Sequence, residues 1–226
     1  MKCLRALPPP QSEEELLQRC QTIAGLSFSQ LCAYVGVQIP EQESQRKGWI
    51  GQVIEQALGA DGKNLARPDF QELGIELKTL PLSARHIPSE STFITTIPLL
   101  TIHQESWENS SCFAKLKRVL WLPVEGDATI PYAHRRIGQA FLWSPVDEDL
   151  RILKEDWIYL TSQIVLGCLD ELDATVGTYL QIRPKGANGK SLCYAFDREG
   201  NKVKTLPRGF YLRSRFTAML LNQVNN

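Results

Sequence analysis

The sequence predicts an α/β fold in which helices flank a mixed sheet. Two observations support this class. Segments with capping residues and helically spaced apolar positions alternate along the chain with short strand-like segments. No internal repeat, low-complexity tract or obvious linker interrupts them, so the 226 residues are expected to form one domain, 1–226, either undivided or split into two lobes.

The N-terminal third is predicted to contain three helices, over about 12–23, 27–36 and 49–58. Ser12 followed three residues later by Glu15 is typical of a capping box, in which each side chain satisfies the other residue's backbone N–H. Gly36 ends the second predicted helix and Gly59 follows the third, and these glycines mark the predicted C-termini.

The rest of the chain contains one long predicted helix. Ser144 is expected to cap it, Pro145 to occupy its first turn, and its apolar stripe continues to about Cys168. A closing helix is expected from about Phe216. The predicted strands lie near 75–80, 92–98, 118–124, 178–183, 191–196 and 209–213, with a hairpin turn at 197–201.

The first predicted strand carries the most informative motif. Ile75 and Leu77 alternate with Glu76 and Lys78, so we expect Glu76 and Lys78 to share one exposed face. A preceding turn is expected to bring Asp69 beside Glu76. Two carboxylates and an ammonium group suit a divalent cation and an attacking water, which is the chemistry of metal-dependent phosphodiester cleavage.

This motif is short, and the same pattern also fits an exposed strand with solvated charges. Its context favours chemistry, because a helix containing Glu55 precedes it and a glycine-bearing loop leads into Asp69. Glu55 lies beside Ile54 and Leu58, so its carboxylate is expected to face inward, where it needs a partner or a metal.

The charge distribution points to a polyanion. The formal net charge is zero, but residues 183–226 hold nine basic and two acidic side chains, a net charge of +7, and the rest of the chain carries −7. This asymmetry indicates a nucleic-acid-facing C-terminal part, although a solvated basic face has the same composition. Arg183 precedes a Gly/Asn loop, a combination suited to contacting guanine at close range.

Other kinds of site receive no support from the sequence. The six cysteines include no CxxC pair and the three histidines no HExxH, so reduced thiols are expected rather than disulfides or zinc. No segment is long enough to span a membrane and no signal-peptide core is present, which predicts a cytoplasmic protein.

A set of co-linear segments carries a family resemblance: 47–51, Glu55, 58–60, 69–70, 73–74, 76–79, 92–93, 115–121, 182–185 and 206–212. In this order they resemble the MutH family of mismatch-repair endonucleases. The resemblance spans nearly the whole chain in order, which makes it far more specific than any single motif. The chain differs from the family's usual sequence at 62–64 and 111–114.

The resemblance implies a restriction-endonuclease-like fold, with two arms flanking a DNA cleft, the active site at their junction and a basic C-terminal arm. It also implies an activity, the nicking of the unmethylated strand at hemimethylated GATC sites in double-stranded DNA. We expect Mg²⁺ to be the cofactor and the protein to act as a monomer. Its implied partner is MutL, which activates it after MutS has found a mismatch.

The resemblance further assigns roles to individual residues. Asp69, Glu76 and Lys78 match the catalytic motif, and we expect the Leu77 carbonyl to complete the metal ligands. Glu55 matches an additional helix carboxylate and Lys115 a lysine near the scissile phosphate. The implied DNA contacts are Lys47, Glu90, Phe93, Arg183, Pro184, Lys185 and Gly186, with Tyr211 at the position that senses the adenine methyl group.

Two other functions fit the same sequence. One is a DNA-binding or partner-binding module whose catalytic strand is inert, and a Mg²⁺-dependent nicking assay separates it from an enzyme. The other is a restriction endonuclease that cuts both strands of GATC, which the products formed on hemimethylated duplex would identify.

Overall fold

A computed structural model of the protein describes residues 7–62, 67–185 and 191–225. The chain divides into two compact units. Unit 1 comprises Met1–Ser89 and Arg118–Ser144, and unit 2 comprises Glu90–Lys117 and Pro145–Asn226. Both contain helices and strands, so the predicted α/β class is confirmed.

The helices are α1 (Glu13–Ile23), α2 (Phe28–Val35), α3 (Glu43–Arg46), α4 (Trp49–Leu58), α5 (Ser111–Leu116), α6 (Asp147–Val165) and α7 (Ser214–Asn225). The strands are β1 (Glu76–Leu82), β2 (Thr92–Thr96), β3 (Val119–Glu125), β4 (Phe141–Trp143), β5 (Leu180–Pro184), β6 (Cys193–Phe196), β7 (Lys202–Thr205) and β8 (Arg208–Leu212).

Unit 1 begins with the helices that the sequence predicted. The hydroxyl of Ser12 accepts the N–H of Glu15 at the start of α1, but the reciprocal half of the predicted capping box is not formed. The Glu15 carboxylate instead accepts the N–H of Gln11. At α2 both halves are present, because the side chains of Ser27 and Gln30 each accept the other's backbone N–H.

The sheet of unit 1 has the order β1–β3–β4. Strand β1 runs parallel to β3 and lies at the edge, and β4 runs antiparallel to β3. Strand β3 is buried over its first six residues. Its side chains Leu120, Leu122 and Val124 join one core with apolar residues of α1, α2 and α4. Removing each such side chain from water contributes roughly 1.5–3 kcal/mol, so this core fixes β1 from one side.

Unit 2 contains an antiparallel sheet of order β2–β8–β5 and a separate two-stranded ribbon, β6–β7. Within the described residues, the strands are therefore distributed over three small sheets. The predicted hairpin turn at 197–201 is confirmed, with the side chain of Asp197 accepting the N–H of Asn201 at 2.7 Å.

The long helix α6 begins later than predicted. Val146 is its N-cap, and Ser144 is wrong as the predicted cap. The reason is that the chain is still leaving β4 at this point, where the Ser144 hydroxyl lies 3.5 Å from the guanidinium of Arg118. The helix also ends at Val165, before Cys168.

Four short elements, α3, β4, α5 and β7, have no counterpart among the predicted helices and strands. They contain four, three, six and four residues, which are too few to establish a hydrophobic pattern. Within the described residues, no helix is both long and apolar enough to traverse a bilayer. The five described cysteines are free thiols, and burial raises the pKa of Cys20 to about 12.

Candidate active site and nucleic-acid interface

A short hairpin in unit 1 places Asp69 opposite Glu76. Phe70 and Ile75 form an antiparallel bridge, with N–H···O distances of 2.9 and 3.2 Å in the two directions. Asp69 and Glu76 are the next residues outward on each side, so they face each other across the same register. The turn between them ends at Gly74, whose φ of 65° suits glycine. The structure thus places the two predicted acidic residues opposite each other.

Asp69 is held by its main chain and by its side chain. The N–H groups of Asp61 and Gly62 both donate to its carbonyl at 2.9 Å, and its Oδ2 accepts the N–H of Leu77 at 2.9 Å. A Cβ on Gly62 would lie only 2.7 Å from the Asp69 Cα. A larger residue at position 62 would therefore displace Asp69 from β1.

The hydrogen bonds of β1 show to which edge of the strand the Leu77 carbonyl points. The N–H of Glu76 donates to the carbonyl of Arg118 at 3.0 Å, toward β3. The N–H of Leu77 points the other way, to Asp69, at the free edge of β1. Because the N–H and C=O of one residue in a strand point to the same side, the Leu77 carbonyl shares that edge with the Asp69 carboxylate.

Glu76 and Lys78 lie on one face of β1, as predicted, and form an ion pair with an Oε1–Nζ distance of 2.7 Å. The expectation that this face is exposed is wrong, since Glu76 is only 1% exposed. The neighbouring strand explains the burial, because Val119 and Trp121 stand beside Glu76 and Lys78 in the parallel register. A buried ion pair seldom stabilises a fold on balance, so its presence here favours a chemical role.

Glu55 is partly buried on α4. Within the described ranges, no three acidic, histidine or cysteine side chains form a group that could hold a metal ion. Glu55 therefore does not complete such a group with Asp69 and Glu76, and its predicted catalytic role stays a prediction.

A cluster of rings and cations lies on the β2–β8–β5 sheet of unit 2. The rings of Phe93 and Tyr211 meet edge to face, with centroids 5.3 Å apart. The guanidinium of Arg183 lies 5.9 Å from the Tyr211 ring centroid, and the Lys185 ammonium lies 3.6 Å from that of Phe93. Lys185 also donates to the hydroxyl of Thr96 at 3.1 Å. Arg183 and Lys185 are exposed, so this cluster, which we call the ring–cation surface, is open to a polyanion.

The electrostatics of this surface keep Tyr211 neutral. Burial raises the pKa of Tyr211 above its ordinary value, Arg183 opposes this effect, and Glu90 adds to it. The backbone approaches closely here, because a Cβ on Gly209 would lie 2.8 Å from the Phe93 ring. The protonated phenol is thus available as a hydrogen-bond donor or as a steric boundary.

The remaining predicted residues are more scattered. Lys47 is exposed in unit 1, before the N-terminus of α4, and Lys115 is buried on α5 of unit 2. Glu90 is exposed, and so is Pro184 at the end of β5. The prediction for Gly186 falls outside the described residues.

Two residues that the sequence did not single out also shape these sites. Trp121 is fully buried beside Lys78, and only its place in a continuous apolar strand could have indicated this. The carboxylate of Asp156 on α6 accepts three backbone N–H groups, from residues 178–180, at 2.7, 2.5 and 2.8 Å. Asp156 follows buried Leu153 by three residues, so an acidic residue on an apolar stripe was the available signal.

The chain is similar in sequence to known proteins over nearly its whole length. The family described as "DNA mismatch repair enzyme MutH" matches residues 58–156. The chain is 48% identical over 214 residues to the DNA mismatch repair protein MutH of Vibrio campbellii, covering 95% of each chain. It is 47% identical over 215 residues to the protein of the same name from Escherichia coli K12, covering 95% of this chain and 94% of that relative.

Proposed function

The chain belongs to the MutH family of DNA mismatch repair enzymes, and from that premise we propose that it nicks the unmethylated strand at hemimethylated GATC sites, with Mg²⁺ as cofactor. It is a DNA-cleaving enzyme with a restriction-endonuclease-like α/β fold. The observation that carries the proposal is the group formed by Asp69 with Glu76 and Lys78 of β1, in which both carboxylates are buried and the lysine is half-buried. Two carboxylates held beside an ammonium group in a site shielded from water suit phosphodiester hydrolysis.

The donor set fits Mg²⁺. This ion prefers oxygen ligands and is commonly held by one or two carboxylates together with substrate phosphate oxygens. Asp69, Glu76 and the Leu77 carbonyl would hold it, so a third carboxylate is not required. When bound, the ion supplies Lewis-acid stabilisation of the negative charge that develops on the phosphate.

Side chains of the protein position the water and the metal ligands and bind the phosphates. Lys78 presents its ammonium group beside Glu76, where it orients the attacking water and offsets charge on the scissile phosphate. The hydrogen bond from the Leu77 N–H keeps Asp69 in place without reorganisation during the reaction. Glu55 assists as a further carboxylate, and Lys47 and Lys115 contact backbone phosphates.

The ring–cation surface supplies recognition. Arg183 is exposed and its guanidinium is steadied by the Tyr211 ring, which suits bidentate contact with a guanine edge. Pro184, Gly186, Glu90 and Phe93 contact neighbouring bases, and Lys185 contacts the DNA backbone. The neutral phenol of Tyr211 lies against the adenine, where a methyl group on the cut strand is sterically rejected.

We place the enzyme in the cytoplasm as a monomer. MutL is proposed to activate it after MutS has located a mismatch. The charge asymmetry supports DNA as the substrate but does not by itself select a protein partner.

A nicking assay tests the proposal. Supercoiled or duplex DNA with one hemimethylated GATC site would be incubated with Mg²⁺ and either the native enzyme or the Lys78→Ala variant. We expect the native enzyme to nick only the unmethylated strand, and the variant to be slower by about 10²-fold or more. Binding to the same duplex is expected to change little.

Controls separate the alternatives. Arg151→Ala removes an exposed cation that pairs with Glu148 and Glu155 on α6, and it should leave nicking unchanged. Binding without any nicking by the native enzyme would indicate an inert module. Cleavage of both strands would indicate a restriction endonuclease, and cutting without Mg²⁺ would exclude the proposed cofactor role.

A further inference from the structure

The β6–β7 ribbon presents one face to solvent. Tyr194 pairs with Lys204 and Phe196 pairs with Lys202, so these four side chains share the same face of the ribbon. On the opposite face Ala195 is 1% exposed, and its partner Val203 is 38% exposed. Tyr194 is 48% exposed and both lysines are exposed. We call this outward face the aromatic–lysine face.

The basic side chains of residues 183–226 are not equivalent. Most of the described ones are engaged internally, since Arg213 and Arg215 donate to the carbonyls of residues 176–178 and Arg198 forms an ion pair with Glu171. By contrast, Lys202 and Lys204 make no side-chain hydrogen bond or ion pair within the part of the chain that the structure describes. Among the described basic residues of this segment, Lys202 and Lys204 therefore join Arg183 as exposed cations without a hydrogen bond or an ion pair.

The ribbon is held firmly to its own unit. A Cβ on Gly167, at the end of α6, would lie 2.2 Å from the Asp197 carbonyl carbon, so the ribbon's turn packs tightly there. Within the turn, the N–H of Gly200 donates to the Asp197 carbonyl at 3.0 Å. The aromatic–lysine face is therefore an ordered surface.

The ribbon starts where the β5–β8 pair ends. The N–H of Lys185 donates to the carbonyl of Pro207 at 2.7 Å and closes that end of the sheet. Four residue steps separate Lys204 from Arg208, the partner of Pro184 in the β5–β8 register. This is at most about 14 Å of chain, or roughly four base pairs at about 3.4 Å each.

We infer that the aromatic–lysine face binds the sugar–phosphate backbone of duplex DNA that flanks the recognition site. This inference rests on the proposed function, because it requires Arg183 and its neighbours to face DNA. Two unpaired lysines on one strand match phosphate charge, and the exposed ring of Tyr194 can pack against a sugar or a base. The competing explanation is that edge lysines only prevent the ribbon from pairing with other chains.

The test compares Lys202→Ala/Lys204→Ala with the native enzyme by fluorescence anisotropy. One hemimethylated duplex carries about ten base pairs on each side of GATC, and a hairpin-capped duplex carries about two. On the long duplex at ~0.1 M salt, the double variant should bind about tenfold or more weakly. Its slope of log affinity against log salt should be smaller by about 1.8, two contacts at about 0.9 each. On the short duplex the two proteins should bind alike.

Two further variants complete the experiment. Arg151→Ala/Lys154→Ala removes two cations of unit 2 that are paired with carboxylates and should bind like the native enzyme. Lys202→Arg/Lys204→Arg keeps both charges and should retain the native salt slope. An unchanged slope in the Ala variant, or an equal loss in the Arg151/Lys154 control, would overturn the inference. If these variants nick normally, the proposed function stands regardless, whereas a native enzyme that neither binds nor nicks DNA removes both.

Discussion

The candidate active site of unit 1 and the ring–cation surface of unit 2 differ in solvent exposure. In unit 1, Glu76 is 1% exposed and Asp69 is 9% exposed, and both are fixed by short polar contacts. In unit 2, Arg183 and Lys185 are exposed and are steadied by aromatic rings. The first arrangement suits chemistry at one atom, and the second suits contact with a long polymer.

This difference predicts how each group tolerates substitution. A buried charge costs free energy unless it is paired, so changes at Glu76 or Lys78 affect folding as well as chemistry. An exposed cation contributes little to stability, so changes at Arg183 should affect binding alone. The comparison can therefore be tested by measuring stability, affinity and rate on the same variants.

The largest effect is expected for Glu76→Gln. Loss of its charge should slow nicking by about 10²–10³-fold at saturating DNA. It should also lower the free energy of unfolding by roughly 3 kcal/mol, because the half-buried ammonium group of Lys78 loses its carboxylate partner. In urea denaturation the double variant Glu76→Gln/Lys78→Met should recover part of that stability and none of the activity. Full activity in either variant would remove Glu76 from the chemistry.

Asp156→Ala should have the next largest effect, which is a loss of folding stability. Three backbone N–H groups at the start of β5 lose their acceptor, which should cost about 2–4 kcal/mol in urea denaturation. DNA affinity should fall because β5 carries Arg183, while the nicking rate at saturating DNA should stay within about threefold. Asp156→Asn, which keeps an acceptor oxygen, serves as the milder control. A native-like unfolding curve for Asp156→Ala would contradict this account.

Arg183→Ala is expected to affect binding only. Loss of one bidentate base contact should weaken binding to a GATC duplex about 5- to 150-fold. The ratio between the affinity for this duplex and the affinity for a duplex in which the guanine is replaced should become smaller. The unfolding midpoint should not change, since the side chain is exposed. Lys185→Ala provides the comparison, because a phosphate contact should weaken binding to both duplexes equally. A shifted unfolding midpoint would place Arg183 among the structural residues.

Tyr211→Phe should have the smallest effect. Removal of one hydroxyl should reduce the rate ratio between hemimethylated and fully methylated DNA by about 2- to 10-fold. Because burial and Glu90 hold the pKa of Tyr211 above its ordinary value near 10, the phenol stays neutral and the native ratio should be constant from pH 7 to 9. A ratio that is unchanged in the variant would remove Tyr211 from methyl sensing.

Local features of the chain were the most predictable. The pairing of Asp69 with Glu76 depends on a hairpin closed between Phe70 and Ile75, so nearby residues were sufficient to indicate it. The start of α6 was not predictable from Ser144 and Pro145, because the end of β4 holds that serine elsewhere. Capping signals specify a helix start only where no tertiary contact competes for the same group.

The sequence by itself determined the α/β class, most helices and strands, the charge asymmetry and the position of Asp69 opposite Glu76. Only the tertiary structure decided that Glu76 is buried, because the strand that covers it comes more than 40 residues later. It also decided which cations remain free, since the partners of Arg198, Arg213 and Arg215 lie about 30 residues away in the chain. Hydrophobic periodicity indicates on which face of a helix or strand a side chain lies. Its burial and its ion pairs depend on contacts with residues that are distant in the sequence, and a local pattern does not indicate these.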